Sequence, residues 1–249
     1  MTLPVLALRD CSAGYGGVEV LRSVQLELQP DEILAIVGMS GVGKTTLLHV
    51  LAGLLPATSG DVLFRGQPLG RGDPSIGVVF QDHSLFPWMT IAGNVELGLR
   101  IRGVPASERR RSTRRILTEV GIEECADSYP RDVSGGQRQR AALARTFVLD
   151  PSVVLLDEPF SSLDAITRER LQALTLSRLT DRATPAVIVT HDTEEAVFLG
   201  TRLAALGDGG GLRFLQNRST GTDRTAPEFV ATRRRLRRLL TESVHATDA

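Results

Sequence analysis

Lysine is almost missing from this chain: of its 29 Lys and Arg residues, only Lys44 is a lysine. In a chain that otherwise uses arginine, that position marks a place where a wide, planar guanidinium does not fit. Cysteine is scarce as well. Cys11 and Cys125 stand alone, without metal-ligand spacing, which fits a reducing compartment where thiols stay free. Net charge is lacking: the formal total is zero, so no overall field favours nucleic acid. No apolar run approaches the roughly 20 residues a membrane helix needs. The start, MTLPVLALRDCS, lacks the basic region and long apolar stretch of a signal peptide. The expectation is a soluble protein, one large domain or a core with a smaller lobe, whose membrane role, if any, passes through a partner.

What is present begins with short, continuous apolar runs. Ile33–Val37, Ile76–Phe80, Val153–Leu156 and Val187–Val189 read as buried strands of a parallel sheet. Each run ends in polar chemistry: a glycine loop after Val37, then Gln81, Asp157-Glu158, and Thr190-His191. In open α/β sheets ligands bind beyond the carboxyl ends of the strands, so these groups share one edge. Val24, Leu26 and Leu28 alternate with polar residues and predict an antiparallel strand flanking the parallel core. Between Gln81 and Asp132 the pattern is helical, with Ile116, Leu117 and Val120 at helix spacing, and Glu108–Arg115 reads as a solvated basic face. After Gly207–Gly211 a polar tail is expected, with a short basic helix over Arg233–Leu240.

The loop Gly38-Met39-Ser40-Gly41-Val42-Gly43-Lys44-Thr45 matches G-x-x-x-x-G-K-[ST]. A buried strand precedes it. A helix follows, with apolar Leu47, Leu48, Leu51, Leu54 and Leu55, stopping near Pro56. Glycines let the backbone curl so that several N–H groups face one anion, and the helix amino terminus adds partial positive charge. Lys44 supplies a compact point charge for β- and γ-phosphates, the Thr45 hydroxyl suits Mg²⁺, and Thr46 falls near the α-phosphate. The expected ligands are ATP and Mg²⁺.

Val153–Leu156 ends in two acids. Asp157 suits Mg²⁺, a hard cation that takes oxygen ligands, and Glu158 is placed to polarise an attacking water. His191, ending another strand, is a candidate contact to the γ-phosphate. Gln81 is a candidate for Mg²⁺ or for the attacking water. Tyr15, in the turn Gly14-Tyr15-Gly16-Gly17, is a candidate for stacking on adenine.

One more motif, Val133-Ser134-Gly135-Gly136-Gln137, lies between the phosphate loop and the acidic strand and runs into Arg138–Arg145; Ser134 is a fair helix cap. With it, residues 3 to 206 resemble the nucleotide-binding subunit of ABC transporters. The resemblance rests on Tyr15, the phosphate loop, Gln81, Val133–Gln137, Asp157-Glu158, Ser161-Ser162-Leu163-Asp164 and His191, in that order. It departs at Val133, where the family usually has leucine. The resemblance implies an α/β fold: a P-loop NTPase core, mostly parallel sheet, with a flanking antiparallel β-sheet and an inserted helical subdomain. It divides the chain into a core of 1–81 and 150–211, a helical signature subdomain of 82–149, and a tail of 212–249.

The resemblance also implies a head-to-tail dimer of two copies, in which Ser134, Gly135 and Gly136 of one copy close over ATP on the other and Asp164 links the two sites. Hydrolysis would drive integral membrane permease subunits from the cytoplasmic face of the inner membrane, with a substrate-binding protein as an indirect partner and no nucleic acid. The stretch Glu158–Asp164 resembles the importer form. Pro87-Trp88, within Val79–Thr90, resembles the nitrate, sulfonate and taurine importer group. The alternatives are an exporter ATPase of the same fold, an ABC ATPase acting on nucleic acid or ribosomes, and a nucleotide sensor without turnover. No long coiled-coil or zinc insertion and no second ATPase half is visible, and Glu158 speaks against a sensor.

Overall fold

A strand that is apolar at every position has no face to give to water. Ile33–Val37, Val153–Leu156 and Val187–Val189 are such runs, and all of their residues are buried in the computed structural model, which describes residues 3–245. In chain order the strands are β1 (Leu6–Tyr15), β2 (Val18–Leu28), β3 (Ile33–Gly38), β4 (Ser59–Phe64), β5 (Gln67–Pro68), β6 (Ile76–Val79), β7 (Val153–Asp157), β8 (Ala186–Thr190), β9 (Arg202–Leu206) and β10 (Leu212–Gln216). The helices are α1 (Lys44–Leu51), α2 (Ile91–Ile101), α3 (Ala106–Glu119), α4 (Gly135–Phe147), α5 (Ala165–Asp181), α6 (Thr193–Leu199) and α7 (Pro227–His245).

A six-stranded sheet has the order β10-β9-β3-β8-β7-β6. Its pairs are parallel except β9 with β10. Leu34 and Ile36 of β3, Val153 and Leu155 of β7, and Val187 and Val189 of β8 pack with Leu47, Leu48 and Leu51 of α1. The same cluster takes in Val24, Leu26 and Leu28 of β2, whose alternation buries one face of the antiparallel sheet β2-β1-β4-β5. Helix α1 is therefore held between two sheets. Intervening residues such as Val154, Leu156 and Ile188 pack with Leu143 of α4 and Leu171 of α5. The fold is α/β, and the carboxyl ends of β3, β6, β7 and β8 reach one edge, as the apolar runs predict.

Residues between Gln81 and Asp150 carry α2, α3 and α4. Ile116, Leu117 and Val120 are buried, and Arg110, Arg111, Arg114 and Arg115 form an exposed face. Arg109 instead turns inward to pair with Glu96 at 2.6 Å.

Two expectations change. Helix α1 ends at Leu51, short of Leu54 and Leu55, because Gly53 takes φ +66°, a left-handed position that stops the helix. Leu54 is then exposed. The segment after Gly211 is also more than a polar tail. Strand β10 extends the main sheet, and α7 runs 19 residues rather than Arg233–Leu240 alone. One face of α7 explains its length: Phe229 and Leu236 are fully buried against Ala196, Val197 and Leu203. On the polar side Arg233 pairs with Glu194 of α6 at 2.6 Å. Residues 1, 2 and 246–249, at the ends of the expected core and tail, lie outside the described residues.

If α7 is part of the core, Leu236→Ala destabilises the protein by about 2–5 kcal/mol, the usual cost of a large-to-small change at a buried site. Urea unfolding measures it. A midpoint and slope equal to the unaltered chain's would show that α7 contributes nothing to the folded core.

Candidate active site

The first-turn N–H groups of a helix have no carbonyl one turn back to bond. In α1 the first intrahelical bond is Leu47 N–H to Gly43 O, at 2.8 Å, and no side chain caps the helix at Gly43. The amides of Lys44, Thr45 and Thr46 are thus left for an anion. The approach to that turn uses Gly41 at φ +82° and Gly43 at φ +104°, left-handed conformations that side chains resist. A Cβ on Gly43 would also meet Val20 Cγ1 at 3.0 Å. Gly38 is constrained differently: a Cβ there would lie 2.7 Å from Val42 Cγ1, so the buried Val42 side chain packs directly beneath the start of the loop. The Lys44 ammonium curls over the loop and donates to Gly38 O at 2.9 Å and Met39 O at 3.0 Å.

A cleft of about 400 Å³ opens here, lined by Tyr15, Val20, Ser40, Gly41, Gly43, Lys44, Thr45, Thr46, Gln81, Asp157, Glu158 and His191. Most residues singled out in the sequence thus meet in one place, delivered by β1, the β3–α1 loop, and the ends of β6, β7 and β8. Gly38 and Val42 shape the loop without lining the cleft. Tyr15 is half exposed, its Oη 3.2 Å from His49 Nδ1.

Asp157 is buried, and its Oδ1 has no protein partner. Burial pushes its carboxyl up from the usual range; the Thr45 hydroxyl and the charges of His49 and Lys44 pull the other way. A buried, underpaired carboxylate oxygen beside a threonine hydroxyl and near a glutamine amide fits a hard cation that keeps several waters.

Glu158 sits at φ +48°, an uncommon conformation for a side chain longer than Asn. Its surroundings hold it there. The backbone N–H donates to Val189 O at 3.0 Å, and its carbonyl accepts from Gln139 Nε2 at 3.0 Å and Ser161 Oγ at 3.1 Å. The side chain turns into the cleft, with Oε2 2.7 Å from His191 Nδ1. The partner of His191 in this structure is therefore Glu158.

Gln139 was not singled out by the sequence, although it lies in the run after the signature. It is buried on α4, and its Oε1 also accepts from Ser162 N at 3.0 Å. One amide thereby ties the signature helix to the Glu158–Ser162 loop. The only hint in the sequence is an uncharged residue flanked by Arg138 and Arg140.

The signature residues stand apart from the cleft. Ser134 caps α4 in a reciprocal box: Gln137 N donates to Ser134 Oγ at 3.2 Å and Ser134 N donates to Gln137 Oε1 at 2.8 Å. Gly135 and Gly136 follow in the first turn, with Gly136 closely packed on Leu163. Asp164 caps α5 by accepting from Thr167 N at 3.0 Å, which draws its carboxyl below the usual range. None of these four lines the cleft.

A family model described as "ABC transporter" matches residues 21–161. The chain belongs to the ABC transporter family. It is 37% identical over 240 residues to the taurine import ATP-binding protein TauB of Escherichia coli O157:H7, covering 92% of this chain and 94% of that protein. The TauB of Shigella boydii serotype 4 is 36% identical with the same coverage. Among solved structures, the dimeric bacterial ABC transporter cassette MJ0796 superposes with a TM-score of 0.79 at 31% identity, covering 86% of this chain and 99% of that one. A dimeric post-hydrolysis state of the same cassette, bound to ADP and Pi, superposes equally well. This ABC cassette is an ATPase, and the mixed sheet, antiparallel sheet and helices are the family's fold.

Gln139→Leu tests the buried link from α4. It leaves Ser162 N without its acceptor, and a buried unpaired donor costs about 1–3 kcal/mol. Denaturant unfolding is expected to show that loss, and hydrogen exchange at Ser162 to speed up. Unaltered protection at Ser162 would mean that the amide link is not formed in solution.

Proposed function

We propose that this ABC ATPase energises the import of a small anionic solute, of the nitrate, sulfonate or taurine kind, through separate integral membrane permease subunits. The observation that carries the hydrolytic half is the cleft itself, where an anion-binding helix terminus faces a buried Asp157 and an oriented Glu158. The importer half is supported by the taurine import proteins among its relatives and by Pro87-Trp88. Trp88 is well exposed, in the loop between β6 and α2. With permease subunits as partners, the proposed place is peripheral, at the cytoplasmic face of the inner membrane; among the described residues no helix is long and apolar enough to cross a membrane. A substrate-binding protein is the indirect partner that selects the solute, and nucleic acid is not a partner.

The roles follow from position. Tyr15 stacks on the adenine. Backbone amides from Ser40, Gly41 and Gly43 through Thr45 and Thr46 cradle the phosphates, Gly38 and Val42 shape the loop that presents them, and the Lys44 ammonium lies between the β- and γ-groups. Thr45, Gln81 and Asp157 are the residues that would hold Mg²⁺, which when bound neutralises phosphate charge. Glu158 accepts the proton of the attacking water, and Gln81 helps to place that water. His191 orients Glu158 through Nδ1 and reaches the γ-phosphate.

Ser134, Gly135 and Gly136 lie outside the cleft of their own chain, and so the proposed completion comes from a second copy packed head to tail. The amino terminus of its α4 faces the γ-phosphate, and Asp164 links the two sites. Closure excludes water and completes the positive surroundings of the phosphates. The core of 1–81 and 150–211 then holds nucleotide, and the helical subdomain of 82–149 passes the motion on through the segment after Gln81.

Glu158→Gln keeps the shape and removes the base. ATP binding is expected to survive, turnover to fall by about 10²–10⁴-fold, and the protein to elute as an ATP-bound dimer. Unchanged turnover would remove Glu158 from the mechanism. Purification from native membranes is expected to bring down a multi-span permease; recovery of ribosomes or nucleic acid in its place would overturn the transport reading.

A further inference from the structure

A second, smaller cavity of about 50 Å³ shares Glu158 and His191 with the cleft. Two of its other lining residues, Glu195 and Arg168, each carry a buried atom with no protein partner. Glu195, on α6, is only 4% exposed. Its Oε2 accepts from Gln172 Nε2 at 3.1 Å, and its Oε1 is the unpartnered atom. Arg168, on α5, donates through Nη2 to Leu163 O at 2.9 Å, and its Nε is unpartnered.

The charges around Glu195 decide its form. From the end of β8 it faces Thr190, His191 and Asp192; from the β7–α5 segment Glu158; and from α5 Gln172 and Arg168. Two nearby positive charges are engaged elsewhere, Arg224 with Glu194 and Gln172, and Arg233 with Glu194; Arg168, in the cavity itself, bonds only the Leu163 carbonyl. Burial pushes the Glu195 carboxyl up to about 8; the Thr190 hydroxyl and Gln172 amide oppose this, and the Asp192 and Glu158 carboxylates add to it. An acid with so raised a value is neutral below that pH and charged above it. At neutral pH Glu195 thus carries an O–H donor.

The cavity exceeds the ~10–15 Å³ of water-accessible space that one water needs, and such a water needs 2–4 polar partners. Here the Glu195 O–H and the Arg168 Nε–H can donate to it, and the Glu158 carboxylate can accept from it. We propose that Glu195 is a positioning residue for ATP hydrolysis: with Arg168 it holds one water in this cavity, and that water fixes the orientation of the Glu158 side chain. Glu158 is then held from two sides, by His191 directly and by Glu195 through the water. The inference rests on the reading of Glu158 as the base, which Glu158→Gln tests separately.

Glu195→Ala removes the donor. It is expected to lower kcat about tenfold or more, the cost of leaving a buried polar site underpaired, with the KM for ATP unchanged because Glu195 does not line the phosphate cleft. Glu195→Gln places an amide N–H where the acid O–H stood, and is expected to recover most of the lost kcat. Turnover of the unaltered protein should decline as pH rises through about 8, and this decline should vanish in Glu195→Gln. A glutamine variant as slow as the alanine variant, or coincident pH profiles for the glutamine variant and the unaltered protein, would overturn the proposal. If the alanine variant does not fold, infrared spectroscopy decides. The unaltered protein should show a carboxylic acid C=O band at neutral pH that Glu195→Gln lacks, and absence of that band refutes the neutral donor.

Discussion

The β3–α1 loop can close on an anion only because Gly41 and Gly43 occupy left-handed conformations, and much of the fold serves to hold that curl. Strand β3 lies between β8 and β9, so the loop's entry is fixed by parallel neighbours on both sides. Helix α1, its exit, is pinned between two sheets by Leu47, Leu48 and Leu51. The interior of the loop is filled by Val42. An amino terminus left without a side-chain cap would ordinarily be a weak point in a helix. Here it is kept rigid by packing, so its donors are organised before any ligand arrives.

The parts of this arrangement that were legible in the sequence are those governed by local pattern. Ile33–Val37 and Val153–Leu156 are apolar at every position, short and rich in β-branched residues, which points to a strand buried on both faces. The polar residue after each run then had to appear at the ligand edge. The parts that were not legible depend on contacts between distant segments. Gln139 is one amide among arginines until the fold brings it beneath Glu158 and Ser162. Glu195 looks like an ordinary acid in the first turn of a helix, where the dipole would favour its charge; only burial against Glu158 and Asp192 reverses that. The left-handed Gly53 ends α1 one turn early, although leucines continue the helical pattern. In α7, five arginines at Arg233–Arg238 masked the spacing of Phe229 and Leu236 that docks the helix.

The site also divides unequally. Lys44, Thr45, Gln81, Asp157, Glu158 and His191 converge within one chain, whereas Ser134 to Gly136 and Asp164 do not. The cap box at Ser134 and the turn at Asp164 are complete in themselves, so the signature surface is formed before any partner docks. Under the proposed head-to-tail closure, two rigid half-sites meet, and the ordering cost of association falls on the segments joining them rather than on the catalytic groups.

The single lysine has a further consequence. Its ammonium folds back on the carbonyls of Gly38 and Met39, inside the loop that it serves. Lys44 is the chain's only side-chain amine, so acylating reagents have one internal target. A lysine-specific protease likewise has one peptide bond to cut, between Lys44 and Thr45 in the first turn of α1. Scission into two fragments therefore requires that turn to unwind. The natural composition of the protein has placed a single-site reporter of local unfolding at the point where the nucleotide's charge is held.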